Sequence, residues 1–291
     1  MPTACLPDVQ VNYLQLGLDR VGAAPLVMLH GLATNLAFWY PLAQVFAETY
    51  PTTLFDLRGH GRSSMPLTGY TPPALAEDLR ELLDHLGIMR ANFIGHSFGG
   101  SVLLCFAHRY PERVHGLVLA DVRLRLLQPS QEPKAWPNWS RLGPNLEKVG
   151  IHLADDEPEG GYRLLEEMMR WELRGGHKSS DGPIPKVLEQ LLPPGGSRRT
   201  AERWVQLLEG TTARQEFLKG EPMTCDQLAQ LHKPTLAVYG ENSPTLPTAH
   251  ALKELWPHTQ FEFVPHAGHF FPLSKPERLL IPAQKFLAGC R

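Results

Sequence analysis

The sequence predicts an α/β fold, in which a mostly parallel β-sheet carries helices on both faces. Short apolar runs that end in Gly or a polar residue recur along the chain, and such runs are typical of strands buried on both faces. These runs are residues 25–31, 52–59, 91–97, 114–121 and 234–240. Helical stretches lie between them, and in residues 71–87 leucines recur at helical spacing. Because strand and helix alternate, we expect the strands to pair in parallel.

This alternation stops after Asp121 and resumes near Lys233, which predicts an inserted second unit. The intervening residues hold ten of the 27 prolines and four of the six tryptophans of the chain. Two segments there, LLEEMMRWEL and AERWVQLLEG, have the pattern of short amphipathic helices. We therefore predict a core formed by residues 1–121 and 233–291 and a mainly helical cap formed by residues 122–232.

The composition restricts the classes of partner. The 28 Lys and Arg against 30 Asp and Glu, a net charge of -2, offer no electrostatic reason to bind nucleic acid or an anionic membrane surface. No apolar stretch reaches the roughly 18 residues that a membrane helix needs, and the first ten residues lack a signal-peptide pattern. We expect a cytoplasmic monomer or homodimer that acts on a small molecule.

The cysteines and histidines do not form metal-binding patterns. Cys5, Cys105, Cys225 and Cys290 are scattered without CxxC spacing, which indicates neither a zinc site nor a disulfide framework. None of the 13 histidines belongs to an HExxH pattern. We therefore predict no metal and no cofactor.

The segment GHSFG at 95–99 lies where a strand pattern ends and a helical pattern begins. A G-x-S-x-G motif arises by chance in on the order of one chain in ten of this length, so the motif alone is a weak signal. Its position strengthens it, because a serine on a sharp strand-to-helix turn needs glycines on both sides. Gly95 and Gly99 supply that room, and Gly100 allows the helix to pack close to the strand. Ser97 is therefore a candidate nucleophile.

The segment HGLATNLAFW at 30–39 follows the first long strand pattern. An HG turn in that place can aim the backbone N–H of Leu32 at a developing oxyanion, with the N–H of Phe98 as the second donor. When each is considered alone, this segment is an ordinary glycine turn and DLRGHGRSS at 56–64 is a polar loop.

His269 lies in FVPHAGHFFPLSKPERL, after the last strand pattern and before a C-terminal helix. A single histidine near a terminus is usually structural. In combination with a serine turn earlier in the chain, it becomes the natural general base for Ser97.

Together these segments resemble those of the α/β-hydrolase family, in the same order along the chain. The matching segments are HGLA (30–33), DLRGHGRS (56–63), GHSFGG (95–100), the strand before Gly240 and HAGHF (266–270). The resemblance implies an eight-stranded mostly parallel sheet, a lid over the pocket and a cofactor-free enzyme. It also implies that Ser97 is the nucleophile, that His269 is the base, and that the amides of Leu32 and Phe98 form the oxyanion hole.

The chain departs from the family pattern at Ser243, where most relatives carry an aspartate. A hydroxyl can accept a hydrogen bond from the histidine ring but brings no charge, and neutralising the aspartate of a serine protease costs about 10⁴-fold in turnover. Asp121 ends the neighbouring strand, and the carboxyl ends of strands converge on the crevice of an open α/β sheet. Some α/β-hydrolases take the acid from this strand, so we predict Asp121 as the acid. Alternatively, Asp121 only caps the strand or pairs with Arg123 or Arg125.

Other sources of the acid stay open. Glu241 follows the strand by one residue and could bend back, although a solvent-facing role is the simpler interpretation. Three carboxylates in the predicted cap would need the cap to close over the site, namely Asp155, Asp156 and Asp226. Ser97 and His269 could also work as a slow dyad.

We predict a serine hydrolase that cleaves an ester or thioester of a small apolar or aromatic substrate through an acyl-enzyme. The cap tryptophans suggest such a pocket, unless they only build the core of the cap. These are Trp136, Trp139, Trp171 and Trp204. Arg123 and Arg125 could receive a substrate carboxylate. The alternatives are a carbon–carbon bond hydrolase, lyase or cyclase, and a receptor-like protein with little turnover.

Overall fold

The computed structural model describes residues 1–175, 198–219 and 223–290. At its centre lies one sheet of eight strands: β1 Thr3–Cys5, β2 Gln10–Leu16, β3 Leu26–Leu29, β4 Thr52–Phe55, β5 Ala91–His96, β6 Val114–Ala120, β7 Thr235–Gly240 and β8 Gln260–Val264. The strand order is β1-β2-β4-β3-β5-β6-β7-β8. The pairs β1–β2 and β2–β4 are antiparallel, and the remaining neighbours are parallel. The predicted fold class is confirmed.

The helices of the core cover both faces of the sheet. They are α1 Tyr40–Phe46, α2 Pro72–His85, α3 Phe98–Arg109, and, after β7, α9 Leu246–Leu255, α10 Phe271–Ser274 and α11 Glu277–Leu287. In β3, Val27 and Leu29 belong to the apolar cluster that contains α2 and α3. Leu26 and Met28 belong to the opposite cluster, with α1 and α11. This alternation is what a strand buried on both faces requires.

Between β6 and β7 the regular structure of the described residues is helical. The helices are α4 Trp139–Lys148, α5 Gly160–Leu173, α6 Arg198–Gly210, α7 Ala213–Phe217 and α8 Cys225–Ala229. The four helices from α4 through α7 share one apolar cluster, with fully buried Trp204 and Leu207 among its members. The two segments predicted as amphipathic helices lie in α5 and α6. The division into core and cap stays a prediction, and residues 176–197 and 220–222 of the predicted cap lie outside the described residues.

None of the helices in the described ranges is long and apolar enough to cross a membrane.

The loop 56–64 is largely buried, and its side chains form hydrogen bonds with neighbouring segments of the chain. The buried carboxylate of Asp56 accepts hydrogen bonds from the Leu36 N–H at 2.7 Å and the Arg62 N–H at 2.9 Å. The Arg58 Nε donates to Asp78 Oδ2 of α2 at 2.7 Å, and each of these two side chains is only 7% exposed. Burial raises the pKa of Asp78 even though Arg58 faces it.

Two histidines, His30 of the HG turn and His60 of the loop 56–64, are buried next to each other. The His30 and His60 rings are buried with centroids 5.4 Å apart. Burial lowers the pKa of His30 to about 4. Burial, and then the neighbouring His30, lower the pKa of His60 to about 3. Both rings are therefore neutral at neutral pH.

The Asp78→Asn variant should lose about 3 kcal/mol of unfolding free energy, because it leaves the buried Arg58 guanidinium without its charged partner. Asp84→Asn on the same helix is the matched control. Asp84 is 46% exposed and pairs with Arg80 at 2.6 Å, so its loss should cost less than about 1 kcal/mol. Urea unfolding measures both, and equal midpoints for the two variants would contradict this assignment.

Acid should destabilise the protein through His30 and His60. Both stay neutral when folded but gain a proton on unfolding below a pH of about 6.5, so the unfolding free energy falls as the pH falls from there toward 4. Between a pH of about 6.5 and about 5, each should remove roughly 2 kcal/mol. His60→Gln should therefore flatten this fall by roughly 2 kcal/mol, whereas His258→Gln at an exposed position should not. Urea unfolding at the two pH values tests the difference, and equal falls in wild type and His60→Gln would refute it.

Candidate active site

Ser97 occupies a strained turn between β5 and α3. Its backbone has φ 52° and ψ -122°, in the left-handed half of conformational space that a side chain rarely adopts. The Ser97 N–H donates to the carbonyl of Ala120 at the end of β6, at 3.0 Å. The turn therefore lifts the Ser97 side chain off the carboxyl edge of the sheet, as the motif predicts.

Gly95 and Gly99 allow this turn because no side chain would fit there. A Cβ atom on Gly99 would lie 2.5 Å from the His30 carbonyl oxygen. A Cβ atom on Gly95 would lie 2.8 Å from the Gly100 nitrogen. Both distances are far inside van der Waals contact with backbone atoms, which cannot move aside cheaply.

The ends of three strands bring Ser97, His269 and Asp121 together. The His269 Nε2 lies 3.0 Å from the Ser97 Oγ, and the His269 Nδ1 lies 2.7 Å from the Asp121 Oδ1. Asp121 follows β6 directly with φ 54°, also in the left-handed region. These residues are 24 or more positions apart in the chain, and the parallel order of β5, β6, β7 and β8 places them at one edge.

The Asp121 carboxylate has no solvent exposure and is surrounded by donors. Its Oδ2 accepts from the Gly240 N–H at 2.8 Å. Its Oδ1 accepts from the hydroxyls of Ser243 and Thr245, the latter at 2.6 Å. Ser243, at the position where the family pattern expects an aspartate, thus contacts the aspartate of the neighbouring strand. A buried charge requires such a set of partners.

The remaining acid candidates do not meet the histidine. Glu241, Asp155, Asp156 and Asp226 are all exposed. Asp155 instead accepts a hydrogen bond from the Trp139 indole at 2.6 Å. Among the described residues, the His269 Nδ1 has the Asp121 carboxylate as its partner.

His96 holds the loop that carries His269. Its Nε2 donates to the His269 carbonyl oxygen at 3.0 Å. Burial, and then the neighbouring His269, lower the pKa of His96 well below its usual value, so the ring stays neutral. The His96 ring also stacks on Phe38, with centroids 4.6 Å apart. Sequence reasoning missed this role, although the histidine directly before Ser97 was a visible signal.

The HG turn orients the peptide between Gly31 and Leu32. The Gly31 carbonyl oxygen accepts from the His30 Nδ1 at 2.7 Å and from the Thr34 hydroxyl at 2.9 Å. In a trans peptide the N–H points opposite to the carbonyl, so the Leu32 N–H points away from both donors. In the described part of the chain, neither this N–H nor that of Phe98 has a protein acceptor.

A cavity of about 170 Å³ opens beside Ser97 and His269. Leu32 and Phe98 line it from the core, and α5 and α7 line it from the other side with Tyr162, Leu164, Leu165, Met168 and Phe217. The Phe98 and Phe217 rings meet edge to face, with centroids 5.3 Å apart. The cavity wall is therefore mostly apolar.

The predicted cap residues divide between cavity and packing. Of the four tryptophans in residues 122–232, Trp136 lines this cavity and also belongs to the apolar cluster of α4 to α7. Trp171 and Trp204 are buried in the apolar cluster of α4 to α7, and the partly buried Trp139 packs against it. The alternative that tryptophans build the core of this segment thus holds for most of them.

Arg123 and Arg125 line the cavity, but both are paired with one carboxylate. The Arg123 Nη1 lies 2.7 Å from Glu159 Oε2, and the Arg125 Nη2 donates to the same oxygen at 2.6 Å. Glu159 was not singled out from the sequence. A substrate carboxylate would therefore have to compete with Glu159 for these two guanidinium groups.

Comparison with known proteins is consistent with this geometry. Residues 24–276 match the sequence profile of the alpha/beta hydrolase fold family. A poly(3-hydroxyalkanoate) depolymerase from Ectopseudomonas oleovorans is 26% identical over 268 residues, which cover 90% of this chain and 84% of that protein. The 3-oxoadipate enol-lactonase 2 from Acinetobacter baylyi is 34% identical over 140 residues, 48% of this chain and half of that enzyme.

Solved structures share the fold over nearly the whole chain. A thermophilic esterase from Thermogutta terrifontis superposes with a TM-score of 0.70 at 24% identity and covers 99% of this chain and 98% of its own. The enol-lactonase from Burkholderia xenovorans LB400 gives 0.68 at 21% identity, over 99% of this chain and 100% of its own. From the profile match over most of its length and from this shared architecture, the chain belongs to the α/β-hydrolase fold family.

Proposed function

We propose that this hydrolase is a serine esterase that cleaves an ester or thioester of a small, apolar or aromatic substrate through an acyl-enzyme. The observation that carries the proposal is the connected pair of hydrogen bonds at His269, 3.0 Å to Ser97 and 2.7 Å to Asp121. A nucleophile, a base and an orienting acid within hydrogen-bond distance are what this chemistry needs.

In the first half-reaction the Ser97 Oγ attacks the substrate carbonyl while His269 Nε2 takes its proton. The imidazolium that forms is stabilised by the ionised Asp121, which accepts the Nδ1 hydrogen. His269 then gives the proton from Nε2 to the leaving alcohol or thiol. In the second half-reaction His269 activates water, which attacks the acyl-enzyme and releases the acid and Ser97.

The N–H groups of Leu32 and Phe98 serve as the oxyanion hole in this proposal. Both residues line the cavity at Ser97, and neither N–H has an acceptor among the described residues. The bonds from His30 and Thr34 to the Gly31 carbonyl set the direction of the Leu32 N–H before substrate binds. Preorganised donors of this kind supply a large share of the rate enhancement in acyl transfer.

The substrate class follows from the cavity and from the relatives. The cavity is small and mostly apolar, and α5 and α7 of residues 122–232 form one wall, as a cap over the pocket would. Relatives named as an esterase and as enol-lactonases support an ester bond as the scissile group. A lactone is a cyclic ester, so the same acyl chemistry serves both.

Replacing the nucleophile and the acid should abolish ester hydrolysis. With p-nitrophenyl butyrate, Asp121→Asn should lower kcat by about 10⁴-fold, and Ser97→Ala by at least as much. Glu241→Gln, at the exposed acid candidate after β7, is the matched control and should stay within about twofold of wild type. Stopped-flow release of p-nitrophenol separates the acylation burst from steady turnover.

Three results would count against this proposal. If wild type binds small apolar ligands but shows no steady turnover on esters or thioesters, the protein is a binding protein. If Ser97→Ala keeps the wild-type rate, the hydrolysis does not run through this serine. If Glu241→Gln falls with Asp121→Asn unchanged, the acid assignment is wrong.

Short acyl chains should be preferred over long ones. Because the cavity measures about 170 Å³, kcat/KM for p-nitrophenyl butyrate should exceed that for p-nitrophenyl palmitate by at least about tenfold. Met168→Ala shortens a side chain in the cavity wall, which enlarges the cavity and should shift the preference toward longer esters. Leu208→Ala, in the same apolar cluster but not in the wall, is the control. An unchanged ratio in Met168→Ala would place the acyl chain elsewhere.

A further inference from the structure

Ser243 forms a hydrogen bond with Asp121, the proposed acid of the site. Its side chain is completely buried in the turn that follows β7. Its hydroxyl donates to Asp121 Oδ1, and the hydroxyl of Thr245 donates to the same oxygen at 2.6 Å. This oxygen is the one that contacts the His269 Nδ1 at 2.7 Å. The Asp121 Oδ1 therefore has three hydrogen-bond partners, namely two hydroxyls and one imidazole nitrogen.

A backbone contact bears on the direction of the Ser243 hydroxyl hydrogen. The Ser243 Oγ accepts a hydrogen bond from the Thr245 N–H at 3.2 Å, which leaves its own hydrogen for the carboxylate. An ionised carboxylate only accepts, so both hydroxyls must donate to it.

The second oxygen of Asp121 is held independently. The Gly240 N–H donates to Oδ2 at 2.8 Å. With Oδ2 fixed by backbone and Oδ1 fixed by two hydroxyls, the carboxylate cannot rotate about its Cβ–Cγ bond without losing hydrogen bonds. The plane of the carboxylate is thus held toward the His269 ring.

We propose that Ser243 and Thr245 are positioning residues that keep the Asp121 carboxylate aimed at His269, a role that rests on the proposed function of the site. The position that carries the acid in most relatives then supports an acid supplied by the neighbouring strand. Neither hydroxyl touches the reacting atoms in this role. Both act through Asp121 when His269 becomes positively charged.

This role has a kinetic signature that simple packing lacks. The imidazolium exists during the chemical steps and not in the resting enzyme, so a loosened carboxylate lowers kcat. Ser243 does not line the cavity, whereas Thr245 does, so an unchanged KM is expected for the Ser243 variant and the Thr245 variants are compared by kcat. Ser243→Ala is therefore expected to lower kcat by about tenfold to thirtyfold at constant KM.

Thr245 offers a pair of variants that separate the hydroxyl from the shape of the side chain. Thr245→Val keeps the branched shape but removes the donor, and kcat should fall by about tenfold. Thr245→Ser keeps the donor and should recover most of that loss. Thr248→Val is the control, because the Thr248 hydroxyl is equally buried but contacts Gln128 at 2.9 Å and not Asp121.

The experiment measures kcat and KM on p-nitrophenyl butyrate for these variants, with thermal unfolding of each. The proposal holds if kcat falls in Ser243→Ala and Thr245→Val and recovers in Thr245→Ser, while Thr248→Val stays near wild type. It is overturned if the first two behave like Thr248→Val, or if Thr245→Ser is as slow as Thr245→Val. Should Ser243→Ala fail to fold, the two Thr245 variants decide.

The same measurements distinguish this proposal from the proposed function. Loss of activity in Ser97→Ala together with normal kcat in Ser243→Ala and Thr245→Val would leave the serine esterase intact and overturn only the positioning role. Wild-type activity in Ser97→Ala would overturn the esterase mechanism, and the positioning role with it.

Discussion

A carboxylate removed from water must be surrounded by hydrogen-bond donors, and the arrangement of this site depends on that requirement at Asp121. The residue is fully buried and its two oxygens meet one backbone N–H, two hydroxyls and one imidazole. The donors come from β7, from the turn after it and from the loop after β8. The carboxylate therefore ties together three segments that the parallel sheet brings to one edge.

Two residues at the carboxyl edge of the sheet have strained backbone conformations. Ser97 and Asp121 each follow a parallel strand and both have positive φ, although neither is glycine. Such conformations persist only where the surroundings enforce them. At Ser97 the enforcement comes from the close approach of Gly95 to Gly100 and of Gly99 to the strand that precedes His30. At Ser97 this backbone conformation turns the side chain toward the cavity, and at Asp121 the side chain stays buried beside His269.

Buried neutral histidines form the support beneath the site. His30 orients the peptide before Leu32, and His96 holds the loop of His269. Burial lowers the pKa of both rings, which keeps them uncharged at neutral pH. A neutral ring can donate from one nitrogen without adding positive charge next to His269. Among the described histidines, it is the partly buried His269, paired with Asp121, that lies within hydrogen-bond distance of the Ser97 Oγ.

The sequence by itself determined the fold class, because the buried parallel strands are short apolar runs and the turn at Ser97 needs its glycines. The antiparallel strands β1 and β2 were not named, since their partly exposed positions dilute the apolar signal. The contact between His269 and Asp121 was only one of several possibilities, because Asp121 and Glu241 both follow strand ends. Burial and the direction of the backbone separate them, and these depend on neighbouring strands. The use of Ser243 and Thr245 as donors to Asp121 was decided by tertiary structure alone, because it arises where two strands far apart in the chain end side by side.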